Sequence, residues 1–321
     1  MSKIKFDYGW GNPYFLLDIL SSIYVGGHSV NIHNMNYGPY DGNAKLIEQT
    51  HEVILKTTGQ KYNHIIITNG ASGAINLILR RFKAKGGQKV FTTQYGYPSY
   101  DSFIERAGLE RVRNLSACPL QIAVNDNANI ELIDSPENPM GTQYIIGNSN
   151  RDIWDGVYNN PIYTPWIKMI PGHRVFVGSY SKLLGIAGSR IGFIATNDAL
   201  LYEDLKIECK AEYTGVSKPS QELVSHILKS IDLEIFMNKG YLHLCNNKSE
   251  FQKIEYLFDG QEVNAVGMFF CVKADPKAVN VLDRAGVEYV RLDDETIRLS
   301  MGQTREVTRG GIKAILKEDK K

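Results

Sequence analysis

One lysine in a run of small residues constrains this chain more than any other feature. Residues 177–193 read Val177-Gly178-Ser179-Tyr180-Ser181-Lys182-Leu183-Leu184-Gly185-Ile186-Ala187-Gly188-Ser189-Arg190-Ile191-Gly192-Phe193. The apolar run Val175-Phe176-Val177 leads in, and Ile191-Gly192-Phe193-Ile194-Ala195 leads out. Two short apolar runs around a small-residue loop predict two buried strands joined by a turn. A lysine held there is partly desolvated, which lowers its pKa and makes the amine a nucleophile toward an aldehyde. Glycine and alanine let a bulky ligand approach the backbone. The serine hydroxyls and Arg190 suit an anion such as phosphate.

The stretch resembles the Ser-x-Ser-Lys-x-x-Gly-x-x-Gly-x-Arg-x-Gly signature of fold-type I aminotransferases, which use pyridoxal 5'-phosphate (PLP). The resemblance implies that Lys182 is the Schiff-base lysine, and that Ser179 and Arg190 hold the cofactor phosphate with Ser181 close by. Upstream, Ile65-Ile66-Ile67 predicts a buried strand, Thr68 to Gly73 a small-residue turn, and Ala74 to Arg81 a helix. A helix N-terminus offers free N–H groups and partial positive charge, so it binds phosphate without a charged side chain. The resemblance places Ala71 and Ser72 on that phosphate.

Val90 to Thr93 predicts a further strand, ending in Gln94-Tyr95-Gly96-Tyr97-Pro98-Ser99-Tyr100. An aromatic face stacks on an electron-poor pyridine ring, and Tyr97 aligns with the family's stacking residue. Tyr100 is expected in the core or against the pocket. Ser135-Pro136-Glu137-Asn138-Pro139-Met140-Gly141-Thr142 contains the family's Asn-Pro-x-Gly, whose asparagine hydrogen-bonds the phenolic oxygen of PLP; Asn138 takes that role. The family's Asp-x-x-Tyr matches Asp155 to Tyr158, whereas Asp152 lacks the tyrosine. A carboxylate against the pyridine nitrogen keeps the ring protonated and electron-withdrawing. Tyr158 would join Asn138 at the phenolic oxygen.

Only a short segment separates Asn138 from Asp155, where most aminotransferases carry a helix. The subgroup of alliinases and plant tryptophan–pyruvate aminotransferases shares this shortening. Its Ser-Pro-x-Asn-Pro-x-Gly-Thr, Asp-x-x-Tyr and Tyr-Thr-Pro patterns resemble this chain's, including Tyr163-Thr164-Pro165 and Gly215-Val216-Ser217-Lys218. The chain resembles this subgroup, and a cysteine-rich N-terminal module of the alliinase type is not expected.

Outside that region the resemblance is patchier. Gly11, in the turn-rich segment Asp7 to Phe15, corresponds to a backbone contact for a substrate carboxylate. Tyr37, ahead of Gly42 and a helix with Leu46, Ile47, Val53, Ile54 and Leu55 as apolar positions, corresponds to a tyrosine that reaches the phosphate in the neighbouring subunit. Near the C-terminus, strands are expected at 268–272, 287–291 and 296–300. Arg298 matches the family's Arg-x-Ser strand and is assigned to the substrate α-carboxylate, for which a guanidinium is the geometric partner.

Alternating strands and helices predict an α/β, mostly parallel large domain of the PLP-dependent transferase fold type I, with a smaller α+β C-terminal domain. The expected division is an N-terminal segment over 1–30, a large PLP-binding domain over 31–230 and a small domain over 231–321. With 36 basic and 35 acidic residues the formal net charge is +1, which implies no field for nucleic acid or an anionic membrane surface. No apolar run approaches the roughly 20 residues of a membrane span. The four scattered cysteines lack metal or redox spacing, and the N-terminus lacks the apolar core of a signal peptide, so a cytoplasmic protein with no metal is expected. The expected activity is transfer of an amino group from an L-amino acid, aromatic or otherwise, to a 2-oxo acid by a homodimer. A C–S β-lyase of alliinase type and a PLP-fold binding protein without turnover are the competing readings.

Overall fold

The computed structural model describes residues 4–6, 13–23, 36–113, 129–141, 153–164, 174–259, 261 and 266–321. In chain order, β1 (Ile4–Lys5) and α1 (Tyr14–Ile23) come first, then α2 (Ala44–Thr58), β2 (His64–Asn69) and α3 (Gly70–Ala84). Next are β3 (Lys89–Thr92), α4 (Tyr100–Arg106), β4 (Glu110–Arg113), β5 (Asn129–Asp134) and β6 (Ile153–Asp155). β7 (Val175–Ser179), α5 (Tyr180–Leu183) and β8 (Ile191–Thr196) enclose the lysine loop, and α6 (Ala199–Tyr213), α7 (Lys218–Ser230) and α8 (Leu233–Phe251) follow. The chain ends with β9 (Phe269–Lys273), α9 (Pro276–Arg284), β10 (Val287–Glu288), β11 (Val290–Arg291), β12 (Thr296–Ser300) and α10 (Arg305–Asp319).

Seven of these strands form one sheet in the order β2-β8-β7-β6-β5-β3-β4. Strands β3 to β7 run parallel, while β8 lies antiparallel between β7 and β2. Every residue of β7 and of β8 is buried, as expected for strands covered on both faces. Successive side chains alternate between two apolar clusters. Ile65, Ile67, Phe176 and Phe193 join the cluster that continues through α8 to the small sheet. Ile66, Val175, Val177 and Ile194 pack with α3, α4 and α6 on the other face.

Register brings chemistry to one edge. Asn69 pairs with Ile191, Ser179 with Gly192, Asp134 with Asp155, and Asp155 with Val177. The carboxyl ends of β2, β5, β6 and β7 therefore share an edge with the start of β8, where ligands bind in sheets of this kind. A three-stranded antiparallel sheet, β11-β12-β9, carries Arg298 on its central strand. The short β1 pairs in parallel with β10, which ties the N-terminal residues to the C-terminal part.

Some local expectations change. Helix α3 starts at Gly70, so most of the expected turn over 68–73 is its first turn. Here φ is 68° at Gly70, a left-handed value that glycine adopts without strain. The lysine loop is not a plain turn, because Ser179 caps α5 by accepting the N–H of Ser181. Leu55, apolar in the helical pattern, is 42% exposed, and α10 runs on through residues 317–319. Among the described residues no helix is long and apolar enough to cross a membrane.

Candidate active site

Ten of the predicted residues line a single cavity of about 380 Å³: Ala71, Ser72, Tyr97, Asn138, Asp155, Tyr158, Ser179, Ser181, Lys182 and Arg190. They come from the ends of β2, β3, β5, β6 and β7, the segments just after them, and the start of β8. Ile75, Val157 and Ala187 add apolar wall, and Asp134 adds a carboxyl group that sequence reasoning did not place there.

One end of the cavity is built for an anion. Helix α3 has no acidic residue in its first turn, and Asn69 makes no side-chain capping bond, so no side-chain cap serves the first amides. A Cβ at Gly70 would stand 2.8 Å from Nη2 of Arg190, so the bare glycine is what admits the guanidinium. Arg190 takes φ 55° and ψ 38°, a left-handed conformation costing about 1–2 kcal/mol in a residue with a side chain. Its N–H and its Nη1 both donate to the carbonyl of Ala187, at 3.3 and 3.2 Å, which offsets part of that cost. Gly192 completes the cradle: a Cβ there would meet backbone atoms of Gly70 and Ala71 at 2.5 and 2.6 Å. The Ser179 hydroxyl already accepts from the N–H of Ser181 at 3.1 Å and donates to the carbonyl of Ile191 at 3.4 Å.

The other end is acidic and buried. Burial pushes the Asp155 carboxyl up to about 6, although the Tyr100 hydroxyl and the Val157 N–H favour its charged form. Tyr100 donates to Oδ2 at 2.8 Å, and Val157 to Oδ1 at 3.2 Å. Asp134 lies beside it in register, accepts the N–H of Asn138 on Oδ2 at 2.9 Å, and is pushed well above the carboxylate range by burial and by the charges of Glu137 and Asp155. Two adjacent buried carboxyls do not both ionise readily. Asp155, raised only to about 6 where Asp134 is pushed well above its ordinary value, is the one that ionises first as pH rises.

Lys182 sits between these ends. Burial, and then the charges of Arg190 and Arg298, lower its amine to about 8. Its backbone is fixed by the Tyr163 hydroxyl, which donates to the Lys182 carbonyl at 2.8 Å.

Arg298 does not line the cavity. It is 2% exposed, its Nη1 donates to Oδ1 of Asn138 at 3.0 Å, and its guanidinium lies 4.4 Å from the Phe269 ring centre. Because Arg298 takes the amide oxygen, Nδ2 of Asn138 is left to serve the cavity. Tyr37 is 87% exposed and outside the cavity, and Gly11 lies outside the described residues. Sequence reasoning missed Asp134, and it placed Tyr100 only loosely. The signal for Asp134 was its position as the last residue of a strand before a proline turn.

The sequence pattern of the family described as Allinase matches residues 36–256, roughly two thirds of the chain. The chain belongs to the Allinase family. It is similar to the (5-formylfuran-3-yl)methyl phosphate transaminase of Methanocaldococcus jannaschii, 27% identical over 46% of this chain and 43% of that one. It is also similar to the alliin lyase of Allium cepa var. aggregatum, 32% identical over 39% of this chain and 28% of that one. The chain thus matches less than half the length of either relative. The aromatic aminotransferase from Pyrococcus horikoshii OT3 has the same fold, with a TM-score of 0.78 over 100% of this chain and 97% of that one at 18% identity. The fold is that of fold-type I PLP-dependent transferases.

PLP is the cofactor that suits the lining of this Allinase-family cavity. The α3 amides and Arg190 match a phosphate dianion. Asp155 matches a protonated ring nitrogen, Nδ2 of Asn138 and the Tyr158 hydroxyl match the phenolic oxygen, and Tyr97 offers an aromatic face. Lys182 supplies the amine for the aldehyde.

Proposed function

We propose that the chain is a PLP-dependent aminotransferase that moves an amino group from an L-amino acid to a 2-oxo acid. One observation carries the reading: a lysine amine lowered to about 8 and a buried aspartate raised to about 6 line the same cavity, beside a helix end without a side-chain cap. When bound, PLP supplies an aldehyde for the amino group and a ring that accepts electrons from the α-carbon. The protein's own groups do the rest. Ala71, Ser72, Ser179, Ser181 and Arg190 hold the phosphate, and Asp155 keeps the ring nitrogen protonated. Neutral Lys182 takes the α-proton and returns it, a task suited to an amine with a pKa near working pH. Arg298, held against Asn138 behind the cavity wall, is the group we assign to the substrate carboxylate.

The test is a panel of L-amino acids added to PLP-loaded protein, read by the absorbance change of the bound cofactor from its aldehyde to its amine form. At least one donor should convert it, and a 2-oxo acid should reverse the change; a panel with no conversion refutes the reading. Membership in the Allinase family supports a second reading, β-elimination. Pyruvate and ammonia released from a cysteine S-conjugate with no oxo acid present would establish it.

The reading extends to a homodimer in which Tyr37 reaches the neighbouring site, supported by its 87% exposure. Light scattering gives the mass, and Tyr37→Phe should weaken PLP binding if the contact exists. The free thiols of Cys209, Cys245 and Cys271 support a cytoplasmic location. We keep the division at residues 30 and 230, and Gly11 as a substrate contact, within the same proposal.

A further inference from the structure

Among the described residues, three side-chain hydrogen bonds matter most in joining the loops at the ligand edge of the large sheet to the small sheet. One is buried, Asn138 with Arg298, and a second is half-buried, the thiol of Cys271, which donates to the carbonyl of Pro139 at 3.1 Å. The third is at the surface, where the Tyr95 hydroxyl donates to Oδ2 of Asp293 at 3.1 Å. Asp293 lies in the turn between β11 and β12, and its Oδ1 accepts the N–H of Glu295 at 2.9 Å. One carboxylate therefore shapes the turn and receives the tyrosine. Burial is the largest single influence and works against the charge, but these donors together with Thr296 outweigh it and hold the carboxyl below its ordinary value.

These contacts close a circuit. From Asp293 the chain runs into β12 to Arg298, whose guanidinium holds Oδ1 of Asn138. The neighbouring Glu137 accepts the N–H of Gly96 at 3.2 Å, and Gly96 follows Tyr95. The Tyr95 segment is also braced from below, because Nη2 of Arg111 donates to the Tyr95 carbonyl at 2.8 Å. Two residues after Tyr95 comes Tyr97, on the cavity wall. The circuit thus links the wall that faces the ring to the arginine assigned to the substrate.

We propose that Tyr95 is a positioning residue: its hydrogen bond to Asp293 latches the β11–β12 turn to the large sheet and so sets Arg298 relative to Tyr97. The proposal rests on the aminotransferase reading for its effect on substrate, but the latch itself is structural. Its primary test is therefore hydrogen exchange of PLP-loaded protein, comparing Tyr95→Phe and Asp293→Asn with the unaltered chain. Both variants should speed exchange in residues 289–296 severalfold, and neither should change residues 175–184. Unchanged exchange in 289–296 overturns the latch, whether or not any amino donor reacts.

With a donor from the panel, Tyr95→Phe should raise KM about three- to tenfold, from the loss of an exposed hydrogen bond to a carboxylate together with the hydroxyl's bond to Thr296. Its kcat should stay within about twofold, because the reacting groups are untouched. Asp293→Asn should behave alike, and the double variant should be no worse than either single one. A lowered kcat with unchanged KM, or additive effects, contradicts the assignment. Failure of every donor with the unaltered chain sinks the aminotransferase reading instead, and the exchange data still decide the latch.

Discussion

Replacing Gly192 with alanine perturbs the anion cradle without touching a charged or polar side chain. The added Cβ would lie 2.5 Å from the carbonyl carbon of Gly70, 2.6 Å from the nitrogen of Ala71 and 2.9 Å from the Gly178 oxygen. All three are backbone atoms in a sheet or at a helix start, so no flexible side chain can yield. Ordinary contact begins at 3.4 Å, so β8 and the start of α3 must separate by 3.4 minus 2.5, about 0.9 Å. Overpacking of this kind costs about 1–3 kcal/mol, and each kcal/mol lowers Tm by at most about 2–4 °C in a chain of this size. The larger effect falls on PLP. A shift of about 0.9 Å takes a hydrogen bond from 2.9 Å beyond useful range. Losing one charge-assisted bond to phosphate weakens binding roughly tenfold to a hundredfold. Fluorescence titration of the apoprotein with PLP measures this, with circular dichroism to verify folding. Gly188→Ala is the control, since nothing lies within 4 Å of the Cβ built there and its φ is not positive; it should change affinity less than twofold. A folded Gly192→Ala variant that binds PLP as tightly as the unaltered chain refutes the claim that the contact of β8 with α3 forms the cradle.

Other outcomes follow from the same site. Lys182→Ala should still bind PLP but lose half-reaction turnover by more than about a thousandfold, as measured by single-turnover absorbance. Covalent attachment of PLP needs the neutral amine, so its rate should climb with pH up to about 8 and then level; a rate independent of pH between 6 and 9 contradicts the lowered amine. Asp155 is raised to about 6 from 3.8, so in the apoprotein its contribution to stability is fully present below about pH 4 and is lost as pH rises through 6. A cationic ring nitrogen reverses this, so the gain in Tm on adding PLP should grow between pH 5 and 7. Asp155→Asn should flatten that growth, and an unchanged slope in the variant means that another group, Asp134 first, controls it.

Much of the site was legible because its parts are local in sequence. The Ser179 to Gly192 run, the Asn138 turn and the Asp155 to Tyr158 spacing each place a side chain relative to its own backbone, and the strands before them end at a common edge. What stayed hidden depends on neighbours distant in the chain. The hydroxyl of Tyr100, at the start of α4, reaches Asp155 at the end of β6 across 55 residues, and Asp134 becomes a second buried acid through its register with Asp155. Arg298 was legible as a strand arginine, but not its grip on Asn138 across 160 residues. The start of α3 at Gly70 was missed because its first turn, rich in glycine and small residues, has weak helix propensity of its own. Packing on β7 and β8 overrides that weakness.

The central claim is that one amine in this cavity takes up the cofactor's aldehyde. Reduction of the PLP-loaded protein with borohydride, followed by peptide mapping, tests it most directly. The account predicts a stable pyridoxyl tag on Lys182; a tag on another lysine, or none in protein saturated with PLP, contradicts it.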